Sequence, residues 1–205
     1  MKNDLNDVFK HEALLIVISG PSAAGKDTVV KELKQRNTPF HVVVTATSRA
    51  PRTGEVHGVD YFFVSRAEFE RMIAAGELIE YAKVYEDWKG VPKAQVKAAL
   101  ASGKDVSMRL DVQGAATIRK QHPETVSIYI TATEEEAIQR MKMRDGNLPP
   151  DYATRLETMR AEAARIPEFD YVVHNRTGCL EETLKTVLSI IEAEHSRTKQ
   201  RKINL

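Results

Sequence analysis

The sequence predicts an α/β fold, with a parallel sheet core flanked by helices. Three observations carry this. Short apolar runs rich in branched residues alternate with amphipathic segments along nearly all of the 205 residues. A glycine-bearing turn, Gly20 to Thr28, joins the first apolar run directly to the first amphipathic segment. The alternation then breaks between about residues 48 and 95, where basic and turn-forming residues gather, and an inserted, more antiparallel lobe is expected there.

Taken in order, residues 14–19 read as a buried strand, and a helix runs to about Arg36, closed by Asn37-Thr38-Pro39. Residues 40–46 form the second strand, 49–58 a basic turn-rich stretch and 59–64 a strand. Ser65 and Glu68 have the spacing of a capping box for a helix that stops at Gly76. Residues 78–85 alternate as a strand, and Pro92 opens a helix that ends at Gly103. Strands at 106–110 and 126–131 enclose a helix at 113–120, and helices follow at 134–144 and 151–165, interrupted at 146–150. A strand at 169–174 and a helix at 180–194 complete the pattern. The tail, 196–205, carries Arg197, Lys199, Arg201 and Lys202 and reads as a frayed, solvated end.

Composition bounds the function. Charged residues are 29% and apolar residues 42%, an ordinary globular balance. With 30 basic and 29 acidic residues the net charge is +1, which argues against a nucleic-acid binder but not against a site for a small anion. The single Cys179 excludes an intrachain disulfide framework and points to a reducing compartment. The longest apolar run, 13–18, falls far short of the ~20 residues that span a bilayer, so no membrane role is expected. Residues 1–12 carry three acids and no apolar h-region, so the expected setting is cytoplasmic, with a mature organellar (plastid) form also compatible. The six histidines are scattered and read as structural or solvated.

Gly20-Pro21-Ser22-Ala23-Ala24-Gly25-Lys26-Asp27-Thr28 fits the phosphate-binding Walker A spacing. Glycines let the backbone turn tightly and approach an anion. The following N–H groups and helix N-terminus then face phosphate, and Lys26 adds a mobile charge. One position departs from the motif: Asp27 stands where a metal-binding Ser or Thr is expected, with Thr28 one later. A carboxylate there needs a cation, either a metal or a neighbouring arginine.

Thr45-Ala46-Thr47-Ser48-Arg49-Ala50-Pro51-Arg52-Thr53-Gly54-Glu55-Val56-His57-Gly58-Val59-Asp60-Tyr61, taken with this loop, resembles guanylate kinases over about residues 14–194. That resemblance implies a P-loop nucleoside monophosphate kinase fold. Its core would be about 13–47 and 96–195, with a GMP-binding lobe at about 48–95 and a helical lid at about 140–165. It implies transfer of the γ-phosphoryl of ATP to GMP, with dGMP a related acceptor, and Mg²⁺ as cofactor carried in with ATP. No nucleic acid, membrane or obligatory protein partner is implied.

Carried over, Gly20, Ser22, Ala23, Ala24, Gly25, Lys26, Asp27, Thr28 and Asn175 are the implied ATP-binding residues, with Asn175 near the adenine. Thr45, Arg49, Arg52, Glu55, Tyr61, Glu80, Lys89 and Asp111 are those for GMP. Glu80 and Asp111 correspond to carboxylates that read guanine, and Lys26, Arg140, Arg144 and Arg155 to the catalytic cations, three of them on the lid. Asp27 is the implied metal residue. The chain differs from the usual pattern in having Lys89 for a tyrosine, Val91 for a serine and Arg109 for an aspartate. A carboxylate is gained at Asp27 where one is lost at Arg109, so the two are expected to face each other or share the metal shell. Two alternatives stay open at this point: a non-catalytic phosphopeptide-binding relative, and a kinase for another nucleoside monophosphate.

Overall fold

The computed structural model describes residues 11–36, 40–84 and 86–205, with the side chains of Phe40, Val84, Arg144 and Asp145 outside that description. The expected turn at 37–39 also lies outside the described residues. Strand β1 (Leu15–Ser19) is wholly buried. Its alternate residues feed two cores, as a strand covered on both faces must. Ile16 and Ile18 pack with Val29 and Leu33 of α1 (Lys26–Gln35) and Leu184 and Val187 of α7 (Leu180–His195). Leu15 and Val17 pack on the other side with Val96 of α3 (Lys93–Ala101) and Ala115 and Ile118 of α4 (Val112–Gln121).

The main sheet has five strands, all parallel. β1 lies between β7 (Asp105–Arg109) and β8 (Val126–Thr131), with β2 (Phe40–Val42) outside β7 and β9 (Tyr171–His174) outside β8. The chain leaves β1 toward one side of the sheet and later fills the other, and a crevice opens at the carboxyl ends of such strands. A second sheet of four strands, ordered β4-β3-β6-β5, comprises β3 (Ala46–Thr47), β4 (Phe62–Phe63), β5 (Leu78–Val84) and β6 (Asp87–Pro92). It pairs mostly antiparallel, and α2 (Arg66–Ala74) buries Phe69 against Ala46 and Leu78. Helices α5 (Glu134–Asp145) and α6 (Tyr152–Ala163) pack on one another through Ala137, Met141, Leu156 and Met159, with Ala23 of the glycine-bearing loop against them.

Several expectations need correction. The single strand expected at 40–46 is two: residues 43–45 interrupt it, and Ala46 and Thr47 pair in the second sheet. β6 was not anticipated, because Trp88-Lys89-Gly90-Val91 lacks alternation; it is held by two-sided pairing with β3 and β5. The capping box at α2 is half made. Ser65 accepts from the Glu68 N–H, but the Glu68 carboxylate turns to Arg71. A complete box stands instead at α5, between Thr133 and Glu136.

The tail is solvated only in part: Arg197, Lys199 and Lys202 are exposed, but its end docks on the protein. Arg201 is buried, its Nε donating to Glu194 Oε2 at 2.8 Å and Nη1 to the Thr125 carbonyl, while Ile203 and Leu205 pack on the core. Charge alone suggested a free end, but Glu194 is itself buried at 1% exposure and needs that cation. Replacing Arg201→Ala would leave Glu194 buried with, among the described residues, only Tyr171 and the more exposed Arg197 as partners. The expected outcome in urea denaturation is a loss of about 3 kcal/mol, with no change in the overall fold by circular dichroism.

Candidate functional site

The glycine-bearing loop leaves the carboxyl end of β1 under a steric constraint. Gly20 has φ 137°, and a Cβ there would lie 2.0 Å from the Ile130 carbonyl oxygen on β8. Gly25, at φ 84°, is the N-cap of α1, and a Cβ on it would sit 2.3 Å from Asn175 Nδ2. Ala23 also takes a left-handed conformation, φ 62°. The loop is then pinned from three directions. Lys26 Nζ donates to the Gly20 carbonyl and, at 2.9 Å, to the Pro21 carbonyl. Asn175 Nδ2 donates to the Ala24 carbonyl at 2.9 Å, and Arg140 Nη1 to the same oxygen at 3.0 Å. Arg140 Nη2 also holds the Asn175 carbonyl. Ser22 and Thr28 stay exposed. Burial lowers the Lys26 pKa, against the opposing pull of Asp27 and Glu162.

A cleft of about 400 Å³ lies between this loop and the second sheet. Gly20, Ser22, Lys26 and Asp27 line one side, Thr45, Tyr61, Glu80 and Lys89 the other, with Arg109 and Asp111 at its base. Glu80, from β5, is 7% exposed and accepts no hydrogen bond from the described residues. Burial, then the nearby Asp111 charge, pushes its pKa up to about 7. Gly114 makes room for it, since a Cβ there would lie 3.0 Å from Glu80 Oε1. Asp111 is the N-cap of α4, its Oδ1 accepting from the Gln113 and Gly114 N–H groups at 3.0 and 2.8 Å. Val91 is buried in the core beside Ile79 and Val96 and presents no polar atom on its side chain.

Cations gather at the second-sheet end. Arg49 forms a bidentate pair with Glu55, Nη1 to Oε2 at 2.7 Å and Nη2 to Oε1 at 2.5 Å. Glu55 Oε2 also accepts from the Arg52 N–H at 2.7 Å, and with Arg49 this holds the carboxyl at a pKa of about 2. The Tyr61 ring has Arg49 at 5.0 Å, Lys89 at 5.8 Å and Arg109 at 5.9 Å from its centroid. Arg109, the last residue of β7, donates through Nη1 to Asp27 Oδ1 at 2.8 Å and through Nη2 to the Tyr61 hydroxyl at 2.9 Å. The pair singled out by its exchanged charge is thus in direct contact. Arg52 is exposed, with its side chain away from the cleft lining. Arg155 pairs with Asp151 at 3.0 Å and does not line the cleft, and the Arg144 side chain lies outside the described residues. Among the described residues no group of three or more His, Cys, Asp or Glu could hold a metal by itself. No described helix is long and apolar enough to cross a membrane.

The model of the guanylate kinase family matches residues 12–194. The chain belongs to the guanylate kinase family. It is 44% identical over 196 residues to the chloroplastic/mitochondrial guanylate kinase 2 of Oryza sativa subsp. japonica, covering 95% of this chain and 69% of that one. It is 37% identical to the guanylate kinase of Clostridioides difficile strain 630, covering 95% of each. The crystal structure of guanylate kinase from Anaplasma phagocytophilum superimposes with a TM-score of 0.75 at 30% identity, covering 93% of this chain and 90% of that one.

For this guanylate kinase, the sequence reading missed one group in the cleft. Glu162 of α6 lines it, with a buried Oε2 that has no hydrogen-bond partner among the described residues, and burial raises its pKa against the pull of Lys26. The signal was weak: Glu162 falls on a lid helix read for its arginines. Asn175 is clearer in the structure than in the sequence. Its Oδ1 accepts from Thr183 Oγ1 at 3.1 Å while Nδ2 braces the loop, so both ends of the amide are used in the interior. Asn175→Ala is expected to cost about 1–3 kcal/mol in thermal or urea unfolding. The same loss in an Asn175→Asp variant, which keeps the acceptor but not the donor, would identify the bond to the loop as the part that matters.

Proposed function

We infer that this chain transfers the γ-phosphoryl group of ATP to GMP, giving ADP and GDP. The observation that carries the acceptor is Glu80, a buried carboxylate without a donor among the described residues, in the same cleft as the phosphate loop. Guanine offers N1–H and N2–H donors on one edge, where adenine offers an acceptor. A carboxylate beside Asp111 accepts from the first and leaves AMP with unpaired buried groups, a rejection of several orders of magnitude. Arg49, Tyr61 and Lys89 supply a guanidinium fork and charge for the acceptor phosphate, and Arg52, exposed outside the cleft in the free protein, is proposed to join them when GMP binds. Thr45 stands on the same wall.

On the donor side, Gly20 to Thr28 cradles the triphosphate, and Lys26 stays close to the β- and γ-phosphates because its stem is fixed in the loop. Phosphoryl transfer asks the protein mainly for alignment and positive charge. Arg140 braces the loop, and Arg144 and Arg155 are proposed to bring further charge when the lid, about 140–165, closes over the acceptor lobe, about 48–95. Asp27 fits the Mg²⁺ that accompanies ATP. Its side chain is 80% exposed, only Oδ1 is engaged by Arg109, and such a metal needs one or two carboxylates beside substrate phosphates and water. Held there, the metal would neutralise charge on the substrate phosphates. The name of the rice relative supports an organellar setting beside the cytoplasmic one.

A coupled assay with MgATP and each nucleoside monophosphate tests this reading. Turnover with GMP and at least about a thousandfold lower kcat/KM with AMP is expected; equal use of AMP contradicts it. The acidity of Glu80 gives a second test. Its pKa of about 7 means the carboxyl is protonated, and poor as a double acceptor, below neutrality. The KM for GMP is therefore expected to rise by up to about tenfold per unit as pH falls below 7 and to level off above it. Glu80→Gln should raise KM at pH 8 and flatten that profile.

A further inference from the structure

Three cations surround Tyr61, and their counter-ions sit on different parts of the molecule. Arg49 is neutralised by Glu55, six residues away in the same acceptor segment. Lys89 has no ion-pair partner among the described residues. Arg109 is neutralised by Asp27, which stands in the first turn of α1, on the donor side of the cleft. The other half of the Arg109 fork holds the Tyr61 hydroxyl, on the acceptor side. One guanidinium therefore spans both halves of the cleft, anchored at the carboxyl end of β7 beside β1.

We propose that Arg109 is a positioning residue that couples the two nucleotide sites, Asp27 acting as its removable counter-ion. In the free protein Asp27 holds Nη1 toward the donor loop. When the metal of Mg-nucleotide engages Asp27, the carboxylate is drawn off, and Nη1 turns to the acceptor phosphate beside Tyr61. GMP then binds more tightly once Mg-nucleotide is bound, and by linkage the reverse holds equally. The Arg49–Glu55 pair cannot serve this purpose, because both of its members lie on the acceptor side. The inference rests on GMP being the acceptor and adds the route by which the donor is sensed.

Calorimetric titration of the full chain with GMP tests it, without nucleotide and with saturating MgADP, which has no γ-phosphoryl to transfer. Wild type is expected to bind GMP at least about fivefold more tightly with MgADP. In Asp27→Asn the affinity without nucleotide should already rise by a similar factor, with MgADP adding less than about twofold. A role confined to metal binding would leave that nucleotide-free affinity unchanged. In an Arg109→Met background, Asp27→Asn should change nothing. Arg109→Lys, which keeps the charge but cannot hold both partners, should bind GMP and lose the coupling, and it serves if Arg109→Met fails to fold. The proposal is overturned if MgADP leaves wild-type affinity unchanged, or if coupling survives in Asp27→Asn or Arg109→Lys. It is also overturned if Asp27→Asn tightens GMP equally without Arg109, which would mean simple charge repulsion. Absence of any GMP binding to wild type would instead remove the acceptor reading beneath it.

Discussion

The approach of Gly20 to the Ile130 carbonyl is the constraint on which the site depends. No side chain fits there, so β1 and β8 can close together where the chain turns into the phosphate loop. That closeness lets Lys26 fold back onto the Gly20 and Pro21 carbonyls and brings Asn175, at the end of the β9 strand, under the Ala24 carbonyl. The loop is thus rigid before a nucleotide arrives, and its N–H groups keep a fixed direction. Arg140, from α5, fastens the lid to the same Ala24 carbonyl and to that of Ala23, so the base of the lid and the floor of the donor site meet at one backbone oxygen.

A second regularity is local charge balance. A site for two phosphorylated nucleotides needs many cations, and each would repel its neighbours in the free protein. Here Arg49 has Glu55, Arg109 has Asp27, and Lys26 feels Asp27 and Glu162. The overall charge of +1 is the sum of such pairings and carries no sign of the clustered site within it. Glu80 obeys the opposite rule. With no cation paired to it among the described residues, it meets the cost of burial by holding its proton toward neutrality, which leaves an acceptor that guanine itself completes.

The sheet core was legible in the sequence, because buried strands such as Leu15–Ser19 and Val126–Thr131 are short and mostly apolar, with branched residues predominating, and the helices between them carry clear stops at Gly76 and Gly103. The second sheet was only partly legible. β6 has no period-2 signal and exists through its partners, and β3 is two residues set by pairing alone. The phosphate loop and the arginine-rich segment could be read because their residue types are tied to their chemistry. Glu162 and Arg201 could not, since each depends on where a helix or tail docks. Arg201 looked like one of four solvated cations until buried Glu194 gave it a partner.

The central claim is that a buried carboxylate stands ready for guanine donors opposite a preformed phosphate loop. The direct measurement is the ¹³C chemical shift of the Glu80 carboxyl followed through pH, with and without GMP. The account predicts a midpoint near 7 in the free protein and a fall of about 1–3 units when GMP binds. A midpoint near the ordinary 4.5 in the free protein, or one that GMP leaves in place, would contradict it.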